Sequence, residues 1–578
     1  MTTQLRSRIA LSTIAFAAAC TSTPAPAPTP TPAQRDPNQP VVAANAMVVS
    51  ASAIASDIGN QVLRNGGNAI DAAIATGFAL AVTYPTAGNI GGGGFMVIRF
   101  PDGRTTAFDF REKAPLKAHP NMFLDDKGEY SSTIHHNSHI AVGVPGTVAG
   151  FALAHEKYGK SKWNALVGPA VKLARDGFAA PPGLARSLAG LANPTGRYAK
   201  YPATVQAYTK NGVPYAEGET IRLPDLARTL ERIETQGRDG FYKGETARLL
   251  AQEMKRGAGL ITEEDLARYQ ARERAPVRGS YRGYDIISMP PPSSGGIAMI
   301  EMFNILEGFD LKALGHNSVE HVHYMAEAMR RAFLDRARFV ADPDFARVPV
   351  ERLTSKDYAR QLRISIDPLK ATPSAPADVT VASESMETTH YSVVDKNGLA
   401  VSVTYTLEAG YGSGIVVPGA GFFLNNEMGD FNAKPGLTTA QGLIGTEPNL
   451  ARPEQRMLSS MTPSIIARDG KLVAVIGSPG GRTIINTVMQ VASNIIDFGM
   501  NIQQAVNAPR LHHQWLPDRI SIEQDGVTPE TAEKLRQMGH TVNVGGRQGT
   551  AHSIMIDANG RRLGAPDPRD RDAGASGH

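Results

Sequence analysis

The segment Thr388–Leu407, TTHYSVVDKNGLAVSVTYTL, constrains the fold more than any other stretch of the chain. Two runs of β-branched and aromatic residues flank Asp395-Lys396-Asn397-Gly398, a pattern that specifies an antiparallel hairpin. With Lys396, Asn397 and Gly398 as the loop, Asp395 opposes Leu399 and Thr388 faces Thr406 across the ladder. The preceding residues, PLKATPSAPADVTVASESME from Pro368 to Glu387, are small, polar and proline-bearing, so an exposed loop is expected there. A threonine that opens a strand after such a loop is where a self-cleaving precursor would place its nucleophile. Cutting between Glu387 and Thr388 frees an α-amine, titrating at roughly 7.7–8.0, beside the Thr388 hydroxyl. One residue then supplies both nucleophile and proton acceptor. Taken alone, the hairpin is equally served by threonines that merely suit a strand.

The 578 residues allow a large core, and 42% hydrophobic with 20% charged residues excludes a wholly disordered or multi-span membrane chain. Fifty-nine Lys and Arg against 55 Asp and Glu leave +4, with no basic stripe, which argues against nucleic acid as a partner. The single cysteine, Cys20, rules out an intramolecular disulfide. Arg6 and Arg8 precede an apolar run, Ile9–Ala19, that ends in three alanines directly before Cys20. This resembles a bacterial secretory signal with a lipoprotein cleavage box, too short for a stable transmembrane helix. The expectation is a signal at 1–19, a Pro/Ala/Thr-rich tether at 20–40, and a periplasmic protein held at the membrane only by lipid on Cys20. An ordinary signal peptide cut nearby is the alternative.

From Val41 the texture is globular. Ala46–Tyr84 carries helix-type patterning with a stop and restart at Asn65-Gly66-Gly67-Asn68, and Phe95–Phe100 reads as a strand after a run of glycines. That run lacks the spacing of a nucleotide cradle and points to tight backbone packing. Thr106–Pro115 reads as a strand ending at Arg111 and Glu112, residues 161–269 and 295–342 as mostly helical, and Ser464–Gly477 as a second hairpin.

In chain order, GTVAGF (Gly146–Phe151), TTHYSVVDKNGLAVSVTYTL, LNNEMGDFNAKPG (Leu424–Gly436), MLSSMTP (Met457–Pro463), GSPGGR (Gly477–Arg482), NAPRLHHQW (Asn507–Trp515) and DPR (Asp567–Arg569) resemble the gamma-glutamyltranspeptidase family of N-terminal nucleophile hydrolases. The likeness runs from about Val41 onward. It implies a four-layer αββα sandwich built from a large subunit, 41–387, and a small one, 388–578, of one precursor. It makes Thr388 the nucleophile and Thr406 the hydroxyl beside it. Arg111, with Ser459 and Ser460, would hold the substrate α-carboxylate, and Glu427 and Asp430 the α-ammonium. Gly480 and Gly481 would supply oxyanion amides, a task suited to residues without Cβ. The implied partners are small γ-glutamyl compounds, glutathione first, with water or an amine as acceptor, and no cofactor or metal.

Two positions depart from the family. Glu408 stands where many members have Asn, adding negative charge to the substrate head's pocket. Gln441, in the stretch Leu437–Gln455 that would form the lid, replaces an aromatic. Three rival readings follow. His135, His136 and His139 in HHNSH, with His512 and His513, invite a zinc amidase, although no HExxH frame is present. A relative acting on glutaryl side chains would lack the need for an ammonium site. A catalytically silent envelope lipoprotein would keep the fold uncut.

Overall fold

The hairpin forms in the expected register: Val394 pairs with Ala400 and Thr389 with Tyr405. Asp395 Oδ1 accepts from the amides of Asn397 and Leu399, and Gly398 takes the left-handed φ of 83° that closes the loop. The computed structural model describes Thr2 and residues 36–375, 387–437, 439–441 and 445–578. The signal, Cys20, most of the tether and the centre of the loop before Thr388 lie outside the described residues. Asn38–His578 is a compact unit distinct from Met1–Pro37, and all that follows concerns it.

Two seven-stranded antiparallel sheets build this unit. The first runs Gly574–Gly577, Met47–Ser50, Glu387–Val394, Ala400–Glu408, Gly93–Arg99, Thr105–Phe110, Arg272–Arg274. The second runs Val41–Ala43, Arg562–Ala565, Ser553–Ile556, Lys471–Ile476, Ser464–Arg468, Tyr284–Ser288, Val277–Tyr281. The chain on either side of Thr388 contributes strands to both. Alternation along the strands splits the first sheet's side chains between two cores: Val48, Met96 and Ile98 face helices, while Val49, Phe95 and Val97 face the other way.

Helices Ala53–Arg64, Ala69–Thr83, Thr147–Tyr158 and Trp163–Asp176 share the first core, and Gly295–Leu306, Val319–Phe339 and Thr483–Ile496 share the second. Ala69–Thr83 is buried all round, which is why its sequence is apolar on every face. Its start is fixed by a capping box, Asn68 with Asp71, so the restart signal in the sequence is a real helix boundary. The helical reading fails only at the front of that stretch, where Met47–Ser50 is a strand. Four buried residues in a row are too few to separate strand from helix by period. The architecture is an αββα sandwich.

Candidate active site

Thr388 sits at an irregularity. The ladder slips between Glu387 and Thr389, so Thr388 lies in a local bulge, and it is 5% exposed. Its hydroxyl donates to Thr406 Oγ1 at 3.4 Å. Thr406 is itself fixed, because its Oγ1 accepts from the Glu408 amide at 2.8 Å and its carbonyl accepts from Asn89 Nδ2 at 2.8 Å. The two hydroxyls therefore meet as expected, although the ladder does not pair the two residues.

Arg111 follows the strand Thr105–Phe110 and is completely buried. One arm of its fork contacts Glu427 and, at 3.4 Å, Glu112; the other contacts Asp430 and donates to the Leu458 carbonyl at 3.2 Å. Burial alone would lower the Arg111 pKa, but the carboxylates of Glu427, Asp430 and Glu112 reverse this and raise it. One guanidinium cannot offset every acid around it. Burial pushes the Glu112 carboxyl upward, against the pull of Arg111. Burial likewise pushes Glu427 upward, opposed by Arg111.

Ser459 and Ser460 are held from behind. Ser294 donates to the Ser459 carbonyl through its amide at 2.8 Å and its hydroxyl at 2.7 Å, and Arg336 Nη2 donates to Ser460 Oγ at 3.1 Å. Gly480 and Gly481 form the turn before helix Thr483–Ile496, with φ of 128° and 55°. A Cβ on Gly480 would lie 2.4 Å from Thr483 Oγ1, so the turn demands glycine on both steric and conformational grounds. Behind it, Arg510 bonds the carbonyls of Gln548 and Gly549 and pairs with Asp567 at 2.6 Å, which ties the last two motifs to this loop.

Arg111, Thr388, Thr406, Glu408, Glu427, Asp430, Ser459, Ser460 and Gly481 line one cavity, joined by Met461 and Ile484; Gly480 is not among its lining residues. The cavity measures about 20 Å³, little more than a water's room. Its size follows from the ion pairs, since Arg111, Glu427 and Asp430 close on one another across the space between them. A zwitterion entering here would replace those internal pairs with its own carboxylate and ammonium.

The histidines singled out in the sequence do not converge. His135 Nε2 meets the Met428 carbonyl, His136 meets Glu408, and His139 meets Glu253, while His512 and His513 turn to Gln514 and Asp518 respectively. Among the described residues, the group close enough to share an ion is instead His323, Glu327 and His540. Arg330, Arg331 and Thr372 already occupy the Glu327 oxygens there. Sequence reasoning missed two residues of the site. Glu112 was visible beside Arg111, but His136 at the Glu408 carboxylate had no signal beyond its place in HHNSH. Gln441 is exposed, in a stretch only partly described.

The profile of the family described as gamma-glutamyltranspeptidase matches residues 55–577. The glutathione hydrolase proenzyme of Escherichia coli K12 is 48% identical over 548 residues, 94% of each chain. Among solved structures, the cephalosporin acylase of Bacillus halodurans superposes with a TM-score of 0.82 at 28% identity, over 96% of this chain and 99% of that one. The gamma-glutamyltranspeptidase of Helicobacter pylori superposes with a TM-score of 0.54 at 48% identity, over 55% of this chain and 91% of that one. The chain belongs to the gamma-glutamyltranspeptidase family.

Proposed function

We propose that this protein is a γ-glutamyl acyl transferase that hydrolyses glutathione and related γ-glutamyl compounds, and passes the γ-glutamyl group to amine acceptors. The observation that carries the reading is the single cavity in which Thr388 and Thr406 meet Arg111, Glu427, Asp430, Ser459 and Ser460. In this reading the precursor cuts itself between Glu387 and Thr388, leaving large and small subunits interlocked through both sheets. Arg111, Ser459 and Ser460 take the α-carboxylate, where the planar fork suits a two-oxygen partner. Asp430, Glu427 and Glu408 take the α-ammonium.

Thr388 Oγ1 attacks the γ-carbonyl while its freed α-amine accepts the hydroxyl proton, and the Gly480 and Gly481 amides stabilise the oxyanion. The amine then protonates the leaving group. Water or an acceptor amine resolves the threonyl ester by the same path in reverse. Residues 1–19 direct export, and lipid on Cys20 anchors the enzyme in the bacterial envelope, a reading supported by the alanines and the lone cysteine at the boundary.

Denaturing electrophoresis with N-terminal sequencing tests the core of this reading. Two bands are expected, the smaller beginning Thr-Thr-His-Tyr, and Thr388→Ala is expected to give one uncut band without γ-glutamyl anilide turnover. A wild-type chain that stays whole and silent for days would sink it. Glutaryl anilide distinguishes the acylase alternative: it lacks the ammonium that the acids reward, and faster turnover of it than of the γ-glutamyl anilide would favour that relative's chemistry.

A further inference from the structure

Glu408 ends the strand Ala400–Glu408 with a left-handed φ of 77°, a strained conformation for a residue with a β-carbon. The carboxylate is buried. Its Oε1 lies 3.1 Å from His136 Nδ1, whereas Oε2 has no hydrogen-bond partner among the described residues and belongs to a residue lining the Thr388 cavity. A buried acceptor without a donor is expensive unless a ligand supplies one.

The fold makes room for this pair at one point. A Cβ on Gly429 would lie 2.4 Å from His136 Nδ1 and 2.7 Å from Glu408 Oε1, so any side chain there would push the two apart. Asn426 fastens both ends, its Nδ2 donating to the His136 carbonyl at 3.2 Å and its Oδ1 accepting from the Ala409 amide at 3.1 Å.

We propose that His136 and Glu408 form a proton-holding pair that sets the charge of the ammonium side of the pocket, and so its preference for zwitterionic over purely anionic head groups. The inference rests on the γ-glutamyl reading and adds a positioning residue to it. With His136 protonated the pair is neutral overall. With His136 neutral the Glu408 charge is uncompensated, its free oxygen draws the substrate ammonium, and a head group bearing only a carboxylate is repelled.

The groups facing His136 support the titration. Burial lowers its pKa, the hydrogen bond and charge of Glu408 more than offset this, Asp430 adds to the rise, and the net shift is upward from 6.5. His135, whose ring centroid lies 4.3 Å away, is held well below its ordinary value by burial and so adds no competing charge at neutral pH. Tyr130 hydrogen-bonds His135 and is pushed up to about 12 by burial, which keeps it neutral.

The test measures binding of glutamate and of glutarate to the purified enzyme from pH 5.5 to 7.5. The ratio of the two affinities cancels the titration of the Thr388 amine, which both probes meet alike. It is expected to move toward glutamate by about tenfold as pH rises, the scale of one charge across a partly buried site. His136→Asn should pin the ratio near its high-pH value, and Glu408→Gln should flatten it near its low-pH value. A slope that survives undiminished in His136→Asn would overturn the pair.

An NMR titration of His136 adds a readout independent of the ligands: Glu408→Gln should lower its pKa, because burial is then opposed by Asp430 without Glu408. A flat wild-type ratio with clear glutamate binding, or a His136 titration indifferent to Glu408→Gln, would overturn the pair and leave the γ-glutamyl reading standing. Failure of glutamate to bind at all would overturn both.

Discussion

The protein buries two clusters of acids and arginines, and they are built on opposite plans. Around Arg111, Glu112 Oε1, Glu408 Oε2 and Glu427 Oε1 find no donor among the described residues, and Glu408 and Glu427 line a cavity. On helix Val319–Phe339, Glu327 accepts from Arg330, Arg331 and both the amide and hydroxyl of Thr372. Asp518 completes that second cluster by accepting from Arg330, His513 and the Ser374 amide. No carboxylate oxygen of Glu327 or Asp518 is left over. Both places hold buried arginines paired with buried carboxylates, so such pairing by itself does not mark function. What differs is whether the acceptors have been used up: a saturated cluster holds chain segments together, and one with acceptors facing a cavity is prepared for a charged ligand.

The sharpest break between the two is expected from removing one charge in each. Arg111→Met should cut kcat/KM for a γ-glutamyl anilide by about 10³-fold, the 3–5 kcal/mol that follows loss of one partner of a buried pair. Arg111→Lys should fall between, since a point charge cannot engage two oxygens at once. If Arg111→Met retained wild-type kcat/KM, the cavity would not be where the substrate head binds. Glu327→Gln should instead lower stability by about 3 kcal/mol in urea titrations, because it removes the buried charge that Arg330 and Arg331 share. The folded fraction should keep kcat/KM within about twofold. A tenfold catalytic loss at unchanged stability would erase the distinction drawn here.

Part of this contrast was legible in the sequence. The Thr388–Leu407 hairpin announces itself locally, through turn chemistry at Asp395 to Gly398 and β-branched strands, and its register put Thr388 opposite Thr406 before any contact was known. The family resemblance brought Arg111, Glu427, Asp430, Ser459 and Ser460 to the same site. His136 and Glu408 could not be joined that way, being 272 positions apart and depending on the empty space at Gly429. His323 and Glu327 share a helix face by spacing alone, yet their partner His540 is 217 positions from His323. Histidine spacing pointed instead to HHNSH, whose rings diverge because a short helix, Ser132–His136, and the turn after it aim them at different partners.

The smallest effect separates the clusters by the sign of their response to pH. In the saturated cluster, burial holds His513 down to about 4 and His540 to about 3, so both rings are neutral in the folded protein below the point where the unfolded chain takes up protons, near 6.5. Between those values the unfolded state binds more protons, and stability drains away as pH falls. At pH 5.5 each ring accounts for about 1 kcal/mol of that loss. Other buried neutral histidines act in the same direction, so the measurement is a difference: the stability gap between wild type and His540→Gln should narrow by about that amount from pH 7.5 to 5.5. His136 is raised rather than lowered, and its contribution is full below 6.5 and lost as pH rises through the folded value. The gap between wild type and His136→Asn should therefore narrow in the opposite direction, toward high pH. Urea midpoints for the two variants at the two pH values decide the matter, and gaps that narrow on the same side would mean that His136 is one more neutral core histidine and that its contact with Glu408 holds no proton.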